Sequence, residues 1–157
     1  MYLYMKQKAL SLMQNFNIYD EHEQPVYTIK GNFSLIGRKL HLYQANTDNE
    51  LAYFKESFSF FMPSFNIYIQ DTLVASIKQE WSFLKPKFTI EALGWLIKRE
   101  DLCEYTIYDK NQSVIATIKK RFFSWTDTFE LHIPNPEHAI YVISIALAID
   151  AVLDKKK

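Results

Sequence analysis

The chain has 157 residues with eighteen basic and eighteen acidic side chains, and it is 48% hydrophobic and 16% aromatic. That length suits one domain, residues 1–157, with a sizeable core, and the aromatic share leans towards strands. Zero net charge leaves no global field to attract nucleic acid, and Cys103, the single cysteine, excludes an internal disulfide and a cysteine-based zinc site and fits a reducing, cytoplasmic compartment.

The N-terminal MYLYMKQKALSLM is interrupted by Lys6 and Lys8 before any apolar run reaches signal-peptide length. From Lys30 onward the chain repeats itself. Aligning on a lysine gives KGNFSLIGRKLHLY from Lys30, KESFSFFMPSFNIY from Lys55, KQEWSFLKPKFTIE from Lys78 and KKRFFSWTDTFELH from Lys119. Before each lysine stands a strand word, VYTIK, LAYFK, VASIK or IATIK. The middle of each copy reads as a turn, at Gly37-Arg38-Lys39, Met62-Pro63-Ser64, Lys85-Pro86-Lys87 and Thr126-Asp127-Thr128. Between copies, DEHEQP, ANTDN, IQDT and DKNQS are turns that separate runs of alternating polarity, so the repeating unit is a β-meander.

A period of two places Tyr27/Ile29, Ala52/Phe54, Ala75/Ile77 and Ala116/Ile118 on the buried face and Lys30, Lys55, Lys78 and Lys119 on the other. The recurrent alanine leaves room for something bulky to approach the sheet. The lysine row reads as a solvated face with edge-protecting charge rather than a binding row. Between Ala92 and Glu104 the repeat lapses, and ALGWLIKREDLCE is expected to be an irregular connection.

From Ala139 to Leu153 the chain reads AIYVISIALAIDAVL, entered through Asn135-Pro136-Glu137, which supplies a cap, a first-turn proline and an early acid. A helix apolar all round must be buried all round. Fifteen residues including Asp150 fall short of the about 20 that span a bilayer, so the expected burial site is the interior of the sheet. A helix there also argues against a hollow ligand-carrying barrel.

The search for chemistry is negative. Gly31, Gly37 and Gly94 lack phosphate-cradling spacing, and His22, His41, His132 and His138 are scattered with no metal-ligand pair. Cys103 reads as packing, and Asp20, Asp71 and Asp109 as turn residues. No enzyme, cofactor or metal is expected. Lys119-Lys120-Arg121, followed by Phe122, Phe123 and Trp125, mixes cations and aromatics as a membrane interface does. Strand alternation opposes a shared patch there, because it sends Lys120 to the other face. Lys85 and Lys87, and the terminal Lys155-Lys156-Lys157, are further candidates for acidic lipid.

The segments YLYMKQKALSL, FNIYDEHEQPVY, LAYFK and KKRFFSWTDTFEL, with the apolar C-terminal helix, resemble small bacterial members of the LURP-one-related family, over nearly the whole chain. The resemblance implies the Tubby C-terminal-like fold: mainly β, a closed antiparallel barrel of about twelve strands around a central hydrophobic C-terminal helix. Tubby domains bind phosphoinositides at membranes, and related scramblases act on phospholipids or as lipid-linked regulators. The function implied is a binding module that associates with anionic phospholipid headgroups as a cytoplasmic protein peripheral to the membrane; the candidate residues for it, Lys119, Lys120, Arg121, Lys85 and Lys87, come from the basic segments of this sequence and not from the resemblance. The alternative is a protein-interaction or scaffold domain with no lipid role. No basic motif aligns with the Tubby phosphoinositide site.

Overall fold

The computed structural model describes residues 1–6, 15–34, 37–59, 62–80, 87–91, 93–121 and 128–154. Twelve strands follow in order: β1 Tyr2–Lys6, β2 Asn15–Tyr19, β3 Pro25–Ser34, β4 Gly37–Gln44, β5 Glu50–Ser59, β6 Met62–Ile69, β7 Thr72–Glu80, β8 Lys87–Glu91, β9 Trp95–Arg99, β10 Glu104–Tyr108, β11 Val114–Arg121 and β12 Thr128–His132. A 3-10 turn, Pro136–His138, then leads into helix α1, Ala139–Asp154. The protein is therefore mainly antiparallel β with one C-terminal α-helix. Neighbouring strands pair in the order β1-β12-β11-β10-β9-β8-β7-β6-β5-β4-β3-β2. Strand β1 meets β12 over five residue pairs, Tyr2↔His132 to Lys6↔Thr128, and returns to β2 over two, Tyr4↔Tyr19 and Met5↔Ile18. Where a closed barrel is expected, the thinnest join is this β1–β2 seam.

The internal repeat is written into the backbone. Register shifts occur at Ile18/Tyr19, Leu42/Tyr43, Ile67/Tyr68 and Ile107/Tyr108, each at a tyrosine that is the last or next-to-last residue of its strand. The turns after Tyr19 and Tyr108 are the same five-residue device. Asp20 Oδ1 accepts from His22 N and Gln24 N, each at 2.9 Å, and Asp109 Oδ1 accepts from Asn111 N and Ser113 N, each at 2.8 Å. Glu23 and Gln112 take the matching left-handed position at φ 58° and 65°. Asp20 and Asp109 are thus turn residues for a physical reason, since each carboxylate replaces the ladder partners that the turn removes.

Two expectations are corrected. Gly37-Arg38-Lys39 and Met62-Pro63-Ser64 lie in β4 and β6, and the joining segments come just before them, with Ser34↔Gly37 and Ser59↔Met62 as the last pairs. Pro63 misled because proline is tolerated near a strand start. Of the other two triplets, Lys87 opens β8 and Thr128 opens β12, while 85–86 and 126–127 lie outside the described residues. Within Ala92–Glu104, WLIKR forms β9, pairing with both β8 and β10. Its alternation is intact, with Trp95 and Ile97 buried and Leu96 and Lys98 more exposed, and Lys98 follows buried Ile97 as Lys78 follows Ile77.

Ile29, Ala52, Phe54, Ala75, Ile77, Ala116 and Ile118 face one core with Leu40, Leu42, Phe65, Ile67, Ile90, Phe129 and Leu131, while Lys55, Lys78 and Lys119 are exposed and Lys30 half-buried. The core is completed by α1. Every residue from Val142 to Asp150 is buried, nine in a row, which is two and a half turns at about 3.6 residues per turn. No face of that stretch is left for solvent. It packs against β5, β6 and β12, and the inward alanines Ala52, Ala75 and Ala116 belong to the same core cluster as Ala146 and Ala148. Among the described residues no helix is long and apolar enough to cross a membrane.

Candidate functional site

The basic triplet at the end of β11 does not form one patch. Lys119 and Arg121 point outward and are satisfied there: Lys119 Nζ is 3.4 Å from Glu104 Oε1, and Arg121 Nη2 is 2.7 Å from Glu130 Oε2. Both carboxylates come from strands adjacent to β11, a cross-strand neutralisation. Lys120 turns inward as alternation requires, is 7% exposed, and sends Nζ to 3.9 Å from Asp150 Oδ1 on α1. Its backbone N–H donates to the Cys103 carbonyl at 2.7 Å, which ties β11 to the β9–β10 connection. Lys87 opens β8 opposite Glu80, and Lys85, Lys155, Lys156 and Lys157 lie outside the described residues.

A second inward carboxylate, Glu56, accepts from Arg38 N at 3.3 Å and has Arg38 Nε at 4.0 Å. Glu56, Lys120 and Asp150 sit towards one end of the wrapped sheet, where β1, β3, β5, β7, β9 and β11 finish. The helix therefore enters at the opposite end and runs towards this one.

The two ends differ in charge. At the helix-entry end, the connections carry Asp20, Glu21, Glu23, Asp48, Asp71, Asp109 and Glu137, with Lys110 as their one lysine. At the other end Lys6, Arg38, Lys39, Lys78, Lys87, Lys98, Arg99, Lys119, Lys120 and Arg121 stand within three residues of a strand end. The acids at this end are Glu56, Glu80, Glu104 and Glu130 on the strands, Glu100 and Asp101 in the β9–β10 connection, and Asp150 and Asp154 in the last turns of α1, so ten cations stand against eight acids among the described residues. Among the described residues the helix-entry end is thus acidic and the other end carries a small excess of cations. The signal was present in the sequence, since the acids fall in every second connection, but it is read only once the meander assigns alternate connections to opposite ends. Leu102, 78% exposed, stands at the basic end beside Arg99, whose guanidinium donates to the Asp101 and Leu102 carbonyls at 2.8 and 3.1 Å.

The remaining polar groups serve the sheet surface. His41 Nδ1 and Tyr43 Oη lie 2.8 and 3.1 Å from Glu50 Oε2, and burial followed by that hydrogen bond raises the Tyr43 hydroxyl above its usual pKa. Tyr53 stacks on Tyr68 at 4.6 Å between ring centres. A cleft of about 430 Å³ beside the β1–β2 seam is lined by Tyr4, Lys6, Tyr19, Asp20, Glu21, Glu23 and Thr128, and Lys6 Nζ already covers the Tyr19 ring at 5.5 Å. Among the described residues, no three His, Cys, Asp or Glu side chains gather to hold a metal.

Comparison with known proteins agrees with this architecture. The LURP-one-related family model matches residues 1–150. The chain is 28% identical over 151 residues to the uncharacterized protein YxjI of Bacillus subtilis (strain 168), covering 96% of this chain and 93% of that one. The X-ray structure of the Arabidopsis thaliana protein AT5G01750 superposes with a TM-score of 0.65 at 15% identity, over 96% of this chain and 91% of that one, a likeness of fold. A repeated β-meander wrapped on a buried C-terminal helix, matched by the family model over nearly its full length, makes this chain a member of the LURP-one-related family with the Tubby C-terminal-like fold.

Proposed function

We propose that this domain is a non-enzymatic binding module that associates with anionic phospholipid surfaces through its basic end, as a cytoplasmic protein peripheral to the membrane. The observation that supports this reading is the segregation of charge between the two ends. At zero net charge the far field is weak, but screening over about 10 Å at 0.1 M salt lets a surface feel the near end of the domain far more than the other. Each Lys or Arg close to an anionic leaflet contributes about 1 kcal/mol, so the exposed cations at this end that have no carboxylate partner among the described residues, such as Lys39 and Lys98, supply the attraction. Leu102 adds an exposed apolar side chain among those cations, the mixture that suits an interface. The same reading takes the wrapped sheet as closed through the β1–β2 seam, which makes the two ends separate surfaces.

Sedimentation with vesicles tests it. Phosphatidylcholine vesicles should leave the protein in the supernatant, and vesicles containing phosphatidylserine should pellet it at low salt. Binding should vanish near about 1 M salt, where the screening length is about 3 Å. No pelleting with phosphatidylserine at low salt would remove this function and leave the protein-interaction reading in its place.

A further inference from the structure

We propose a binding site for a phosphate-type anion on the outer face of β4 and β5, centred on Lys39 and Lys55. The two lysines are directly opposite each other in the β4–β5 register and both are exposed. Directly opposed side chains in an antiparallel pair start about 4.5–5.5 Å apart at Cβ, and like charges so placed destabilise the sheet. Elsewhere on this surface the fold avoids such a clash, for Lys30, Lys119 and Arg121 each have a carboxylate within reach. Among the described residues neither Lys39 nor Lys55 has one. Lys39 Nζ rests 4.5 Å from the centre of the Tyr53 ring, a contact that holds the ammonium over the sheet without neutralising it.

The neighbouring positions complete a donor set. Asn66, opposite Lys55 on β6, donates from Nδ2 to Ser57 Oγ at 3.1 Å and accepts from Ser76 Oγ at 2.8 Å. Ser57 Oγ is thereby used as an acceptor, and among the described residues its own proton has no acceptor. Ser57 lies two residues beyond Lys55 on the same strand face. Two directly opposed ammonium groups with no carboxylate between them among the described residues, and a hydroxyl further along the same strand face, match a compact tetrahedral anion carrying more than one negative charge. Such an anion, bridging Lys39 and Lys55, turns their repulsion into a shared attraction. The chemistry is common to inorganic phosphate, a soluble phosphate monoester and a phosphomonoester lipid headgroup. The site shares Lys39 with the basic end, so the melts in phosphate, which involve no membrane, test it apart from the membrane reading.

Thermal unfolding of the full chain, in sodium phosphate and in sodium chloride of equal ionic strength, provides the test. In chloride, Lys39→Gln/Lys55→Gln should melt at or above the parent temperature, since a repulsion has been removed. In phosphate, the parent should gain in Tm, the double variant should lose that gain, and a Lys110→Gln control at the acidic end should keep it. Amide shifts on titrating phosphate into the parent should centre on Lys39, Lys55 and Ser57, an answer that needs no variant. Vesicles carrying phosphatidic acid or phosphatidylserine at equal charge identify the source. A preference for phosphatidic acid that the double variant loses assigns the site to lipid headgroups, and a phosphate response without that preference assigns it to soluble phosphate. A parent that melts alike in both salts, or a double variant that keeps the phosphate gain, overturns the proposal.

Discussion

Lys120 Nζ on β11 lies 3.9 Å from Asp150 Oδ1 on α1, with both residues buried inside the wrapped sheet. The pair joins the last outward-running strand to the far half of the helix and sets how deeply the helix sits. Removing one partner leaves the other charge buried, which costs about 3–5 kcal/mol, whereas replacing both by apolar groups is often close to neutral. In urea unfolding, Lys120→Met and Asp150→Leu should each destabilise by that amount, and the double variant by clearly less than their sum. Additive losses would show that the two charges are not coupled.

Ala146 and Ala148 are completely buried in the middle of α1. A larger or charged side chain there meets strand atoms on every side. Ala146→Asp should destabilise the fold by about 3 kcal/mol or more, through overpacking and an unpaired buried charge. Removal of residues 139–157 should leave a chain that aggregates, as seen by light scattering. A truncated protein that stays monomeric and melts near the full-length temperature would mean that the helix is an appendage.

Much of this arrangement was legible in the sequence, for reasons that lie in particular residues. Ile29, Phe54, Ile77 and Ile118 alternate with lysines, and a period of two has only one way to face a core. The continuous apolar run of α1 admitted only full burial. Lys120 shows where residue type misleads: a run of three cations looks like a patch, yet alternation sends its middle member inside to Asp150. The opposition of Lys39 and Lys55 could not be read at all, because Gly37-Arg38-Lys39 was taken for a turn. Cross-strand partners depend on register, and register depends on where each turn begins.

Tyr105 offers a test of the core's polar content. Its side chain is 1% exposed, its hydroxyl meets no hydrogen-bond partner among the described residues, and burial raises its pKa above the usual 10.0. Tyr105→Phe should therefore be neutral or stabilising by about 1 kcal/mol, since it removes a buried unpaired group. The raised pKa means that the unfolded chain gives up the phenolic proton first. The stabilisation is fully present below the unfolded pKa and is lost as pH rises through 10 towards the folded value. Stability measured from pH 8 to about 11 should fall less steeply in Tyr105→Phe than in the parent, and equal slopes would contradict the assignment.

The β1–β2 seam, with its two pairs Tyr4↔Tyr19 and Met5↔Ile18, is the place where the sheet would open if it opens anywhere. Amide hydrogen exchange should show the seam protected, though less than the five-pair β1–β12 ladder. Exchange at the rate of a free strand edge would mean that the sheet is open in solution.

The claim that the basic end meets an anionic membrane is tested most directly by orientation. In a Cys103→Ser background, an environment-sensitive dye is placed at Leu102→Cys on the basic end or at Gln112→Cys in the acidic turn after β10. On adding phosphatidylserine-containing vesicles at low salt, the dye at position 102 should shift to the blue and gain intensity, while the dye at position 112 should report water throughout. A shift at position 112, or none at position 102 while the protein pellets with the vesicles, would contradict the account.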